Sequence, residues 1–224
     1  MTVNNYMTKQ EFVYDEIKNR ILRNDYHQGM LLTERMMCNE LGVSRTPVRE
    51  AFMRLDSSGL VRMVPRQGAT VTNLSVDKLV ELYELREALE KMAIKLFMAR
   101  TGDDRVVPLL ECMDRQKELV ETNNFAKFID YDIAFHRHII EGSRNKRFAE
   151  DLADVYDLIN MVYPIVSHKV LLEESIAQHD RIVEAISNGD VSKAEDAMTE
   201  HINFIKNAQI AAIMGTLSEF KLKL

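Results

Sequence analysis

Three residues, Gly42, Val43 and Ser44, separate two stretches of helical periodicity, and so short a link forces the second helix to turn sharply across the first. The earlier stretch, ERMMCNEL at 34–41, follows Thr33, whose hydroxyl suits a helix N-terminus, and stops at Gly42, where a positive φ carries no steric cost. The later stretch, SRTPVREAFMRL at 44–55, has Pro47 in its first turn, where a missing N–H deprives no intrahelical bond, and Ser44 as the expected N-cap. At roughly 100° per residue, Val48, Ala51, Phe52 and Leu55 share one face, while Arg45, Thr46, Arg49 and Met53 point away from it. The spacing predicts a helix-turn-helix whose second helix carries arginines on the outer face of its first two turns. Arg54 lies opposite that face.

The flanking segments complete a small domain. A helix is expected from about Thr8 to Arg23 on the spacing of Phe12, Ile17, Ile21 and Leu22, followed by a turn at 24–29. After Gly59, the β-like runs LVRMV and ATVTN enclose PRQG, which puts Arg66 and Gln67 at the tip of a turn. A helix-turn-helix followed by a small β-hairpin reads as a winged helix over residues 1–73. That part carries 10 Lys/Arg against 8 Asp/Glu, whereas the remainder carries 19 against 27. A weakly basic head on an acidic body suits one module that meets phosphates and one that does not.

From Leu74 the pattern is helical to the end, with helices expected near 75–100, 103–122, 124–141, 145–167, 171–187 and 190–214, the fourth kinked or ended by Pro164. Six helices of that length form an antiparallel bundle. The expected fold is therefore mainly α: an N-terminal winged helix-turn-helix with a β-hairpin wing, then an all-α bundle over 74–224. No apolar run approaches the ~18 residues of a membrane span and the N-terminus has no signal-peptide core, so a soluble cytoplasmic protein is expected, with no membrane partner. Cys38 and Cys112 form no paired motif and read as buried small hydrophobes.

Taken together, LLTERMMCNELGVSRTPVREAFMRLDSSGLVRMVPRQGATV resembles the DNA-binding domain of GntR-type bacterial transcription regulators, a likeness that covers nearly all of 10–72. The core VSRTPVREA and the following GL and RQGA stand in the family's order, while YHQG at 26–29 departs where the family often has proline before the glycine. LYELREALE and DIAFH, within 75–215, resemble the helical effector domain called FCD, found in one GntR subgroup. The first resemblance implies DNA contacts from Arg35, Arg45, Thr46 and Arg49, with Ser44 at the same helix start, and an approach of Gln67 and Gly68 to the minor groove. On physical grounds Arg45, Thr46 and Arg49 occupy the end of a recognition helix that meets base edges. An arginine fork on guanine O6 and N7 contributes about 1–3 kcal/mol of discrimination; the alternative is a solvated arginine face.

A second constellation is visible in the acidic part. Asp132 and His136 are one helical turn apart among Phe125, Phe128, Ile129, Phe135 and Ile139; His179 sits among Leu172, Ile176, Ile182, Val183 and Ile186; His201 among Ala194, Ala197, Met198, Phe204 and Ile205. Buried polar groups are costly unless paired or metal-bound. A single core histidine is ordinarily hydrogen-bonded, but three with an aspartate are the ligands that zinc and similar divalent ions prefer. Zinc is expected, with nickel and manganese as alternatives. The FCD resemblance implies the same four residues, since metal-binding members use an aspartate and histidine four apart plus two later histidines. His138 points away from His136, and His27 and His168 fall in turns; all three are excluded.

Arg86 stands in the apolar stripe of Leu82, Tyr83, Leu89, Ala93 and Phe97, with Glu90 one turn on. It reads either as a buried ion pair or as a clamp for a small organic acid that also meets the metal, a role the FCD resemblance implies. The expectation is a ligand-responsive regulator acting as a homodimer on a palindromic duplex operator. The rivals are a pure metal sensor and a metal-dependent hydrolase; no additional core carboxylate or histidine is placed as a general base for the latter.

Overall fold

The computed structural model describes residues 8–166 and 168–217. The chain divides into two compact units, Met1–Leu74 and Ser75–Leu224.

In the first unit, α1 (Lys9–Leu22) starts from a capping box in which Thr8 and Glu11 each accept from the other's backbone N–H. It buries Val13, Ile17 and Ile21 and packs on α3 (Arg45–Ser57), with Phe12 only half-buried. Between them α2 (Glu34–Leu41) is capped by the Thr33 hydroxyl and ends at Gly42 in the left-handed region. The expected Ser44 cap is not made, although Ser44 is extended as a cap residue should be. The third helical position is Pro47, which has no N–H to give, so the hydroxyl loses one of its two ordinary donors. Arg54 lies 3.8 Å from the centre of the Tyr14 ring and serves packing within the unit.

The wing holds three strands, not the expected hairpin alone. β2 (Val61–Val64) and β3 (Gly68–Val71) pair antiparallel, and β1 (Leu31–Leu32) adds to the other edge of β3, in the order β1-β3-β2. Two residues are too few to show a strand period. Gly68 makes this edge possible: its φ is +132°, and a Cβ there would lie 2.2 Å from the Leu32 carbonyl oxygen.

The second unit is all helical: α4 (Val76–Arg100), α5 (Val107–Glu121), α6 (Phe125–Gly142), α7 (Lys146–Asn160), α8 (Tyr163–Val166), α9 (Lys169–Ser187) and α10 (Val191–Ile213). Helix α4 packs on α6, α7 and α10, α5 on α6 and α9, and α9 on α10. Two expected helices are divided. The span 103–122 opens with a 3₁₀ turn at Asp103–Val106, and Pro108 enters α5 within its first turn. The span 145–167 stops at Asn160, and Pro164 sits in the short α8, where its missing N–H leaves no bond broken; Ser167 lies outside the described residues. Cys112 is buried, Cys38 is only half-buried, and both are free thiols.

Candidate metal centre and nucleic-acid interface

The first unit presents a cleft of about 600 Å³ between the start of α3 and the wing, lined among others by Arg35, Arg45, Arg49, Arg66 and Gln67. Arg35, Ser44, Arg45, Thr46, Arg49 and Gln67 are exposed, whereas Gly68 is buried at the foot of the wing. Four guanidiniums on one cleft make an anion-receptive surface. Sequence reasoning did not foresee Glu34, the first residue of α2, whose Oε1 lies 2.8 Å from Arg49 Nε. An acidic residue in a helical first turn is common and gives no sign of such a partner.

In the second unit Asp132 and His136 on α6, His179 on α9 and His201 on α10 converge, with one ligand atom from each within 4.8 Å of all the others. All four are buried. The polar groups around them fix which nitrogen of each ring carries the proton. Glu90 Oε2 can only accept, so His136 donates from Nδ1 at 2.7 Å. Gln116 turns its Nε2 to Asp132 Oδ1 at 3.2 Å, which leaves its Oε1 to accept from His179 Nδ1 at 3.2 Å. Gln178 gives Nε2 to Glu174 at 3.1 Å and accepts from His201 Nδ1 at 3.2 Å. Asp132 Oδ2 accepts from the Tyr163 hydroxyl at 2.9 Å.

The Nε2 atoms face the interior of the cluster, where that of His136 also meets Arg86 Nη2 at 3.0 Å. Those of His136 and His201 are 3.2 Å apart, and His179 Nε2, 3.7 Å from Asp132 Oδ1, has no hydrogen-bond partner. A buried acceptor without a partner is unfavourable, and a cation at the point of convergence would satisfy it. Ligands at 2.0–2.1 Å from a tetrahedral zinc stand roughly 3.3 Å apart, so the spacing and the donor set both fit a divalent ion. Burial drives the His179 imidazole down to about 3 against the opposing pull of Asp132, and burial with the neighbouring imidazoles holds His201 well below its ordinary range. Both rings are therefore neutral near pH 7, as ligands must be.

Arg86 and Glu90 adjoin this centre. Arg86 Nε meets Glu90 Oε1 at 2.6 Å, and its Nη2 lies 3.0 Å from His136 Nε2. The Tyr156 hydroxyl donates to Glu90 Oε1 at 2.6 Å. Burial pushes the Glu90 carboxyl up, but His136 and Arg86 beside it outweigh this and hold it far below the usual carboxylate range. The buried-ion-pair reading of Arg86 is thus realised, in contact with the four-residue cluster. His138, His27 and His168 are exposed. Gln116, Gln178 and Tyr163 were missed, although Gln116 carried a signal: it interrupts the helical stripe of Leu109, Cys112, Met113 and Val120.

Comparison with known proteins agrees with both units. Residues 81–204, more than half of the chain, match the FCD domain, and residues 9–71 match the bacterial regulatory proteins of the gntR family. A probable D-xylose utilization operon transcriptional repressor of Paenarthrobacter nicotinovorans is 28% identical over 174 residues, 78% of this chain and 76% of that one. The transcriptional repressor RspR of Escherichia coli is 25% identical over 214 residues, 93% of each chain. A GntR transcriptional regulator of Rhodococcus sp. RHA1 superposes with a TM-score of 0.79 at 22% identity, covering 93% of this chain and 99% of that one.

Proposed function

Since the chain belongs to the FCD-bearing gntR family of bacterial transcription regulators, we propose that it is a metal-loaded, ligand-responsive repressor whose helical unit holds zinc on Asp132, His136, His179 and His201 and takes a small organic acid. The observation that carries this reading is the convergence of one ligand atom from each of the buried Asp132, His136, His179 and His201, with His179 Nε2 left without a hydrogen-bond partner. Bound there, the ion supplies a Lewis-acidic position for a carboxylate oxygen. Gln116, Gln178 and Glu90 hold the imidazoles in the ligating tautomer, and Tyr163 orients Asp132.

Charge narrows the acid. Among the described residues the buried side chains with a formal charge are Arg86, Glu90 and Asp132, a net charge of −1. A divalent ion turns this to +1, which a single carboxylate neutralises; burying a dicarboxylate leaves an excess negative charge in the core. The preferred effector is a small monocarboxylate, with Arg86 as the second point of attachment. Repression is the activity that RspR and the xylose-operon relative are named for. Arg35, Arg45, Thr46 and Arg49 read the operator, Ser44 and Gln67 border it, and Gly68 shapes the wing; a homodimer in the cytoplasm places two such heads on a palindrome. No helix among the described residues is long and apolar enough to cross a membrane.

One observation favours a second reading, in which the ion itself is the signal: Arg86 is already engaged by Glu90 and His136. Metal analysis of the purified protein, followed by thermal-shift screening of mono- and dicarboxylates on metal-loaded and chelator-stripped protein, separates the two. Stabilisation by monocarboxylates only when metal is present supports an acid effector. Response of operator binding to the ion, with none to any acid, makes the protein a metal sensor.

A further inference from the structure

Arg86 occupies the place where its function and that of the metal collide. A neutral imidazole Nε2 has one in-plane lone pair, so it can accept from a guanidinium or bind an ion, not both. The guanidinium and His136 are joined twice over. Arg86 Nε meets Glu90 at 2.6 Å, Glu90 takes His136 Nδ1–H at 2.7 Å, and His136 Nε2 faces Arg86 Nη2 at 3.0 Å, closing a ring of three side chains in the core. Arg86 and Glu90 are 1% and 0% exposed, so water screens neither. In such a medium a second cation beside the guanidinium is strongly repelled.

We infer that Arg86 is a built-in competitor for the metal: its guanidinium and the divalent ion are alternative partners of His136 Nε2, and ion uptake turns Nη2 off the ring and frees it as a donor. The inference rests on the reading of the four-residue cluster as a metal centre. It makes the anion-binding hand of Arg86 a product of metal loading, with Glu90 as the pivot that retains Nε while Nη2 changes partner.

The test is zinc affinity in full-length, chelator-stripped protein, read by competition with a chromophoric chelator. Arg86→Met alone strands the Glu90 carboxylate, so the variant is Arg86→Met/Glu90→Gln, whose amide oxygen still accepts from His136 Nδ1. Against a Glu90→Gln reference, which already lacks the carboxylate behind His136, removal of the competitor in the double variant is expected to tighten zinc binding about tenfold, the equivalent of one charge-assisted hydrogen bond. If the unsubstituted protein takes up no zinc, the metal centre itself is refuted. If it takes up zinc and the folded double variant binds it no more tightly than Glu90→Gln does, the competition is overturned while the centre stands. Should circular dichroism show the variant unfolded, ¹⁵N spectra of the unsubstituted protein decide: zinc must shift the Arg86 guanidinium resonances along with His136 Nε2, and zinc uptake that leaves Arg86 unmoved overturns the inference.

Discussion

Glu34 holds Arg49 through its Nε at 2.8 Å and leaves the two Nη groups of the guanidinium unclaimed by that contact. The pair joins the first turn of α2 to α3, and Arg49 keeps 68% of its side chain exposed. A guanidinium braced at Nε presents the fork that fits guanine O6 and N7.

Arg49→Ala should therefore weaken binding to a duplex selected from a random pool by about 1–3 kcal/mol and relax the base preference at one position. Gel shifts on the selected and a scrambled duplex measure this. Equal weakening on both would make Arg49 a phosphate contact.

Gly68→Ala should destabilise the first unit more than Gly42→Ala. The Gly42 site is open, so its cost is the left-handed backbone alone, about 1–2 kcal/mol. At Gly68 the added methyl also meets backbone at Leu32, which cannot yield without parting β1 from β3. Thermal melts of the two variants give the order, and a milder effect at Gly68 would refute the close approach.

His179→Ala should lose the metal while the bundle stays folded, since its apolar neighbours can close partly around the missing ring. Gln116→Leu should keep the metal but bind it roughly 10–100-fold more weakly, because the tautomer of His179 is no longer held. Metal analysis and chelator competition check both, and full metal retention at unchanged affinity in His179→Ala removes that residue from the ligand set.

Acid should destabilise the chelator-stripped protein early. His179 is held near 3 when folded against an ordinary 6.5, so between these values the unfolded chain binds a proton that the folded chain refuses. His201 is depressed as well and acts in the same direction. Stability contributed by the neutral rings is present near pH 7 and is lost as pH falls from about 6.5 toward 3. The depressed Glu90 carboxyl adds a loss at lower pH, beginning as the unfolded carboxylate protonates near 4.5. Urea midpoints at pH 7 and pH 5 measure the first step; equal midpoints would contradict burial of neutral imidazoles.

Much of this was legible from the chain alone because helical period and punctuation are local. Thr33 and Gly42 bound α2 as their chemistry requires, and Asp132, His136, His179 and His201 announced themselves as polar residues inside apolar stripes. The Ser44 cap was misread for an equally local reason, Pro47 three residues on, which has no N–H to offer. β1 was hidden because two residues carry no period, and its place depends on a partner some forty residues away.

Sequence by itself determined which residues lie on which face of each helix, hence that three histidines and an aspartate enter one core. Only the tertiary structure decided how they are used. The tautomer of each ring is set by Glu90, Gln116 or Gln178 from another helix, and the contact of Arg86 with His136 spans α4 and α6. Periodicity fixes direction around a helix axis, whereas hydrogen-bond partners depend on how helices slide and rotate against one another, which is settled by packing over the whole bundle.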